Sequence, residues 1–138
     1  MQARLAVLAD AANLTPEGKL NILGEFNLIW AASVPLTWSR MFLVLKLESD
    51  PGEASEQRIK IRLIDSDAKP VSENLEGQIR FGPRFRPGVP LCAPVILEFR
   101  NAVLPRHGTY EFEVAVGSQV VARIPLHVFP AEQQHAGP

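Results

Sequence analysis

The sequence contains little that could crosslink the chain or give it a strong charge. Its 138 residues include one cysteine, Cys92, which cannot form an internal disulfide and gives no sign of an oxidising compartment. Fourteen basic residues against fifteen acidic residues leave a formal charge of −1. Such a chain has no overall field that attracts nucleic acid or an anionic membrane. The composition therefore argues against a dedicated nucleic-acid binder.

Long apolar runs are also missing. No stretch approaches the roughly 20 apolar residues that cross a bilayer as a helix. Near the N-terminus, Asp10 limits the apolar stretch to about five residues, fewer than the roughly 7 to 15 of a signal peptide. We interpret this segment as a first strand, and we predict a cytoplasmic protein without membrane contact.

The sequence lacks the motifs of common catalytic and metal sites. The three histidines, His107, His127 and His135, have no metal-ligand spacing and no cysteine close in sequence. The chain contains no G-x-S-x-G elbow, no Walker loop and no dinucleotide fingerprint. We therefore predict no catalytic residue, no metal and no cofactor, and a protein that is not an enzyme.

What the sequence does contain is an alternation of apolar and polar residues with a period of two, which indicates strands. It is clearest in residues 57–65, 95–100 and 109–117. Residues 41–49 differ because Phe42 and Val44 make the second face apolar as well. A strand that is apolar on both faces is expected near the middle of a sheet.

Turn residues separate these segments at intervals of about a dozen residues. With 12 prolines, 9 glycines and no long helical-period segment, the sequence favours an all-β fold, an antiparallel two-sheet sandwich of seven or eight strands. Gly117 and Ser118 fit the two-residue loop of a type II′ hairpin. We expect a single domain at residues 1–130 and a disordered tail at residues 131–138, where the alternation is lost.

Three further segments are less regular. Residues 19–30 are long for one strand, and Gly24 suggests a bulge or bend where the strand passes between sheets. Residues 119–129 resemble an edge strand, because Pro125 cannot donate to a ladder on both sides. Residues 31–40 contain Trp38 and form the longest predicted loop, part of which is expected to be one helical turn.

The clearest candidate for a recognition surface is residues 80–88, where arginines and phenylalanines alternate between proline and glycine. Arg84, Phe85 and Arg86 could stack against a base or hold an anionic or peptide partner. In the alternative interpretation, the phenylalanines cap the open end of the core while the arginines stay solvated. Trp38, expected to be exposed, is a second candidate contact.

Acidic residues gather at two predicted loops. Asp50 and Glu53 follow one strand, and Asp65 and Asp67 follow the next. Oxygen ligands on sandwich loops can bind calcium. Aspartate is also a common turn residue, because its side chain bonds to nearby backbone, and the sequence favours this second interpretation.

The segment from Asp10 to Gly24 is rich in groups that hold a turn. Asn13 and Thr15 can bond to backbone, and Gly18 can supply a positive φ. A role in holding the turn accounts for these residues, and the alternative is that they form a ligand site.

At this segment the chain resembles a family of small, uncharacterised bacterial proteins, some of them encoded near mobile elements or phage-like genes. The resemblance extends from about Leu5 to Val128. It is carried by Ala9-Asp10-Ala-Ala-Asn13, by residues 17–24, by Leu104-Pro105-x-x-Gly108-x-Tyr110-x-Phe112-x-Val114, and by Arg123-Ile124-Pro125-Leu126-x-Val128. It implies an immunoglobulin-like or similar sandwich and assigns no active site.

A stiff β scaffold with variable loops and no reactive constellation favours a non-catalytic binding or assembly module for an unknown protein partner. The alternative is a self-associating structural protein, in which Phe42, Val44, Ile96 and Phe129 form the interface. An enzyme acting on a small molecule or glycan is favoured least, since it requires Asp65 and Asp67 to lie across a pocket.

Overall fold

The computed structural model describes residues 1–82 and 87–131 of the chain. Within these residues the chain forms nine strands. In this described part, no helix is long and apolar enough to cross a membrane. The strands are β1 (Gln2–Leu14), β2 (Leu20–Phe26), β3 (Leu28–Ala31), β4 (Leu36–Ser49), β5 (Glu56–Ile64), β6 (Leu75–Arg80), β7 (Leu91–Leu104), β8 (Gly108–Val116) and β9 (Gln119–Pro130).

The strands form two sheets. Sheet A has the order β2-β1-β4-β7, and sheet B has the order β3-β9-β8-β5-β6. All pairs are antiparallel except β3 with β9, which is parallel. The predicted all-β two-sheet sandwich is confirmed, with nine strands in the described residues and one parallel pair.

The order of the strands is that of an immunoglobulin-like sandwich. In sheet A, β4 lies beside β7, and in sheet B, β9, β8 and β5 are neighbours. Immunoglobulin sandwiches place strands B and E together in one sheet and strands G, F and C together in the other. The chain crosses between the sheets after β2, β3, β4, β6 and β7, and the crossings after β4, β6 and β7 give the Greek-key path.

The core lies between the two sheets and is filled by alternate residues of their central strands. The inward-facing side chains of β4 are fully buried against those of β5, β8 and β9. This cluster includes Met41, Leu43, Leu45, Leu47, Ile59, Ile61, Leu63, Phe112, Val114, Leu126 and Val128. The period of two in the sequence is therefore the period of burial, as expected for packed sheets.

Two expectations about the strands need correction. The stretch at residues 19–30 is not one strand, because the chain leaves sheet A after Phe26 and enters sheet B at Leu28. β9 is not an edge strand, since it lies between β3 and β8. However, β3 pairs with residues 127–130 alone, so Pro125 lies in the part of β9 that β3 does not cover.

The path from β7 to β8 is fixed by the side chain of Tyr110. Its ring is buried, its hydroxyl donates a hydrogen bond to the carbonyl of Arg106 over 2.6 Å, and it accepts one from the Arg106 N–H over 2.9 Å. Immunoglobulin-like sandwiches commonly place a tyrosine at this corner, near the start of strand F. Tyr110 therefore supplies a hydrogen-bond partner for both main-chain groups of Arg106 at this partly buried corner.

Asp65 ties this corner to the connection between β5 and β6. One carboxylate oxygen accepts the N–H groups of Asp67 and Lys69, at 2.9 and 3.0 Å. The other lies 3.0 Å from the guanidinium of Arg106. The hydrogen bond from the Lys69 N–H, with that from Asp67 and the charge of Arg106, lowers the pKa of Asp65 below its ordinary value.

Replacing Tyr110 by phenylalanine should destabilise the fold by about 1–3 kcal/mol, because the N–H and carbonyl of Arg106 lose their partner in a partly buried site. Urea unfolding of Tyr110→Phe against the wild type measures this difference. Thr109→Val is the matched control: its hydroxyl bonds to His127 at an exposed site, so its loss should matter little. Equal stabilities for Tyr110→Phe and the wild type would show that water replaces the hydroxyl.

Replacing Asp65 by asparagine should lower the melting temperature in a way that depends on pH. Because the pKa of Asp65 is lowered in the folded state, its carboxylate stabilises the fold fully at pH values above the unfolded-state pKa of about 3.9. This stabilisation is lost as the pH falls through the lower pKa of the folded state. The difference in melting temperature between wild type and Asp65→Asn should therefore be largest near neutral pH. It should shrink as the pH falls below about 4. A difference that stays constant across this range would contradict the assignment.

Candidate functional site

The outer face of sheet A is apolar where a two-sheet sandwich ordinarily meets water. Ala9, Phe42 and Val44 form a second buried cluster on this face, separate from the core between the sheets. Partly buried apolar residues pack around them: Leu5, Val7, Ala12, Leu20, Ile22 and Ile96. Something must therefore cover the outer face of sheet A.

The cover is the far end of the hairpin formed by β1 and β2, residues 11–23, which we call the hairpin arm. β1 pairs with β4 through residues 2–9 and with β2 through residues 8–14. Ala12, Leu20 and Ile22 of the arm pack against the cluster on sheet A. The arm therefore folds back over the outer face instead of extending from the end of the sheet.

The turn of the hairpin arm is held by its own polar residues. The Thr15 N–H donates to the Lys19 carbonyl, the Gly18 N–H donates to the Thr15 carbonyl, and the Lys19 N–H donates to Thr15 Oγ1. Gly18 has a φ of +85°, and Asn21 donates to Asn13 across the two strands. This is a three-residue hairpin loop with a glycine bulge, and the predicted roles of Thr15 and Gly18 are confirmed, whereas Asn13 bonds to the side chain of Asn21 instead of to backbone.

The bend that turns the arm back lies beside Gly24. This residue has a φ of +71°, and a Cβ built on it would lie 2.5 Å from Asp10 Oδ2. Asp10 stands across from Gly24 on β1, between the pairs Ala9–Glu25 and Ala11–Leu23. The predicted irregularity at Gly24 is therefore present, although the passage between sheets comes later in the chain.

A groove of about 520 Å³ runs between the hairpin arm and sheet A. Its walls are Gly18, Lys19, Leu20 and Ile22 from the arm and Leu5, Lys46, Cys92 and Pro94 from the sheet. Lys46 lies beside Leu5 of β1 and Pro94 of β7 in one row across the sheet. The tip of the arm thus reaches the middle of sheet A, and the groove is apolar with two lysines.

The charges around the groove are unevenly matched. Arg4 binds Glu48 through two nitrogens, each 2.8 Å from a carboxylate oxygen, and this contact lowers the pKa of Glu48. Lys19 and Lys46 form no ion pair with any residue in the described part of the chain. Two cationic side chains therefore face an apolar groove, and neither is neutralised by an ion pair within the described residues.

The arm side of this groove lies in the segment from Asp10 to Gly24, where a ligand site was the alternative prediction, whereas the residues on the sheet side were not among the candidates named from the sequence. Leu20 and Ile22 alternate with Asn21, which is the pattern of any half-buried strand. The available signal was the second apolar face of residues 41–49, which required a cover. Nothing local in the sequence indicates that the first hairpin supplies it.

The candidates named from the sequence have different outcomes. Arg84, Phe85 and Arg86 lie outside the described residues, and so does the predicted tail from residue 132 onward. Trp38 is not exposed, and it lies in β4 rather than in a loop. Its ring packs against Phe26, with centroids 6.1 Å apart, because this part of β4 closes one end of the core.

The residues expected at a self-association interface are also placed differently. Phe42 is 8% exposed and Val44 is fully buried, because the hairpin arm packs against their cluster and the Arg40 guanidinium lies over the Phe42 ring, 4.8 Å from its centroid. They belong to a second core and offer no surface to another molecule. Phe129, by contrast, is 40% exposed and packs against Trp30 on sheet B.

The acidic loops are occupied by contacts within the chain. Asp50 and Glu53 accept hydrogen bonds from the N-terminal amine, and Asp65 binds its own turn and Arg106. Within residues 1–82 and 87–131, no group of three or more histidine, cysteine, aspartate or glutamate residues could hold a metal ion. Asp65 and Asp67 share one turn and do not face each other across a pocket.

Replacing Gly24 by alanine should destabilise the fold by about 2 kcal/mol or more, because a positive φ is costly for an L-residue and the new methyl group meets Asp10. Gly18→Ala is the matched control, since its φ is also positive but no atom lies within 4 Å of the added Cβ. Urea unfolding should therefore rank Gly24→Ala below Gly18→Ala. The reverse order would show that the bend at Gly24 is not constrained by Asp10.

Comparisons with known proteins place the chain in a family. A search of curated proteins found no match. Among solved structures, a similar chain is a β-glucuronidase from glycoside hydrolase family 2, with a TM-score of 0.37 and 14% identity, covering 69% of this chain and 10% of that chain. This chain thus spans about a tenth of that protein's length. A family model described as a family of unknown function, DUF6941, matches residues 4–129. The chain therefore belongs to the DUF6941 family of unknown function.

Proposed function

We propose that this protein is a non-catalytic binding module that holds an acidic, apolar segment of a partner protein in the groove beneath the hairpin arm. The observation that carries the proposal is the combination of apolar walls with two lysines that lack ion-pair partners in the described residues. A surface of this kind suits a ligand that has both apolar side chains and carboxylates.

The walls of the groove favour apolar side chains. Leu5, Leu20, Ile22 and Pro94 line it, and all four are partly buried rather than fully exposed. Its volume of about 520 Å³ is within the range of roughly 300 to 1,000 Å³ found for ligand sites. Burial of further apolar surface in such a groove is the main favourable term in most protein association.

The lysines set the charge of the partner. Lys46 rises from the sheet and Lys19 from the turn of the arm, so the groove has a cation on each wall. The nearby positive charge of Arg4 is already used by Glu48. Carboxylates on the partner would form ion pairs with both lysines. This supports selection of an acidic segment and a higher association rate.

The chemistry around the groove supports binding rather than catalysis. Its one sulfur nucleophile, Cys92, is exposed, and its Sγ lies 3.9 Å from Glu48. Glu48 is engaged with Arg4, and the hydrogen bond from Arg4 keeps its pKa low, so it is a poor proton acceptor. Nucleophilic catalysis needs a base that is free to take the proton.

The charge of Lys46 provides the test. A fluorescent peptide of alternating valine and glutamate residues should bind the wild-type protein, and Lys46→Glu should weaken it by about tenfold, because attraction becomes repulsion. Lys60→Glu is the matched control, since Lys60 is an exposed lysine on β5 in sheet B and should leave the affinity unchanged. Fluorescence anisotropy titrations measure all three affinities.

Two results would contradict the proposal. The first is equal weakening by Lys46→Glu and Lys60→Glu, which would indicate a general charge effect. The second is a wild-type protein that binds an alternating valine and lysine peptide as tightly as the glutamate peptide. Circular dichroism and melting curves should confirm that both variants keep the fold.

A further inference from the structure

The hairpin arm has a free strand edge that borders the groove. β2 forms an edge of sheet A and pairs with β1 alone within the described residues. Its residues Leu20 and Ile22 line the groove, whereas no residue of β1 beyond Leu5 does so. The open edge of β2 therefore belongs to residues that line the groove.

The register of the hairpin shows which backbone groups point to that open side. Thr15 and Lys19 form a hydrogen-bonded pair, because the Thr15 N–H donates to the Lys19 carbonyl over 2.8 Å. In an antiparallel ladder such pairs alternate with pairs that do not exchange hydrogen bonds. The pairs Leu14–Leu20 and Ala12–Ile22 are of the second kind. The N–H and carbonyl groups of Leu20 and Ile22 thus point away from β1, towards the open edge.

Leu20 and Ile22 therefore offer both their side chains and their backbone groups to a ligand. Leu20 and Ile22 present apolar side chains to the groove and, between them, two donors and two acceptors along its edge. Residues separated by two positions offer hydrogen bonds at the spacing of a neighbouring strand. An extended peptide satisfies such an edge, which is the recognition mode called β-augmentation.

We propose that the partner segment binds in extended form as an added strand beside β2, with its main chain bonded to Leu20 and Ile22 and its carboxylates at Lys19 and Lys46. This inference rests on the proposed function and specifies the conformation of its ligand. The edge is short, because the bend at Gly24 ends the regular part of β2 shortly after Ile22. A short free edge limits indiscriminate pairing with other strands.

Substitution of Ile22 by proline provides the test. Ile22→Pro removes the outward N–H while leaving the ladder with β1 intact, because this residue does not exchange hydrogen bonds with Ala12. Ile22→Ala is the matched control, since it also loses the isoleucine side chain but keeps the donor. The alternating valine and glutamate peptide should bind Ile22→Pro about five- to tenfold more weakly than Ile22→Ala. Equal affinities for the two variants would overturn strand addition.

A second measurement leaves the protein unchanged. Peptides methylated on alternate backbone nitrogens lose the donors of one strand edge and keep those of the other. One of the two methylated forms should bind the wild-type protein at least about tenfold more weakly than the unmethylated peptide. If both methylated forms bind as tightly as the unmethylated one while Lys46→Glu still weakens binding, strand addition fails and the proposed function stands. If the wild-type protein does not bind the unmethylated peptide, the proposed function itself fails.

Discussion

The central strand of sheet A is apolar on both of its faces, and much of the architecture follows from the need to bury both. Met41, Leu43 and Leu45 of β4 face sheet B, and this requirement gives the sandwich. Phe42 and Val44 face the other way, and no third sheet is available in the described residues to cover them. The hairpin arm meets the second requirement by folding back, and the groove exists because a narrow two-stranded ribbon cannot cover a whole sheet face.

Local chemistry then holds each part in place. Tyr110 fixes the corner between β7 and β8, which lie in different sheets, and Asp65 ties that corner to the turn after β5. Elsewhere, Gly24 and Asp10 allow the sharp bend from which the arm returns over the sheet. The sandwich thus acts as a rigid base, and the surface with unmatched charge lies where the arm meets this base.

The sequence could predict what depends on local pattern, and it could not predict what depends on distant contacts. The period of two located β5 and β8, and Gly117 with a φ of +61° confirms the hairpin between β8 and β9. The turn around Gly18 could also be predicted from its local sequence. By contrast, packing of Ile22 against the cluster of Ala9, Phe42 and Val44 depends on a bend in the chain that alternation does not encode. For the same reason Trp38 was expected in an exposed loop although β4 begins at Leu36.

The hairpin arm is a two-stranded ribbon, and such ribbons are at best marginally stable in water unless they pack against something else. Its folded position therefore depends on contacts of Leu20 and Ile22 with the sheet, and it should open more readily than the sandwich beneath it. A molecule bound between arm and sheet would contact both sides of this opening. The free energy that keeps the arm closed is then thermodynamically linked to the affinity for that molecule. Binding of the molecule in the groove would therefore slow amide exchange along β2.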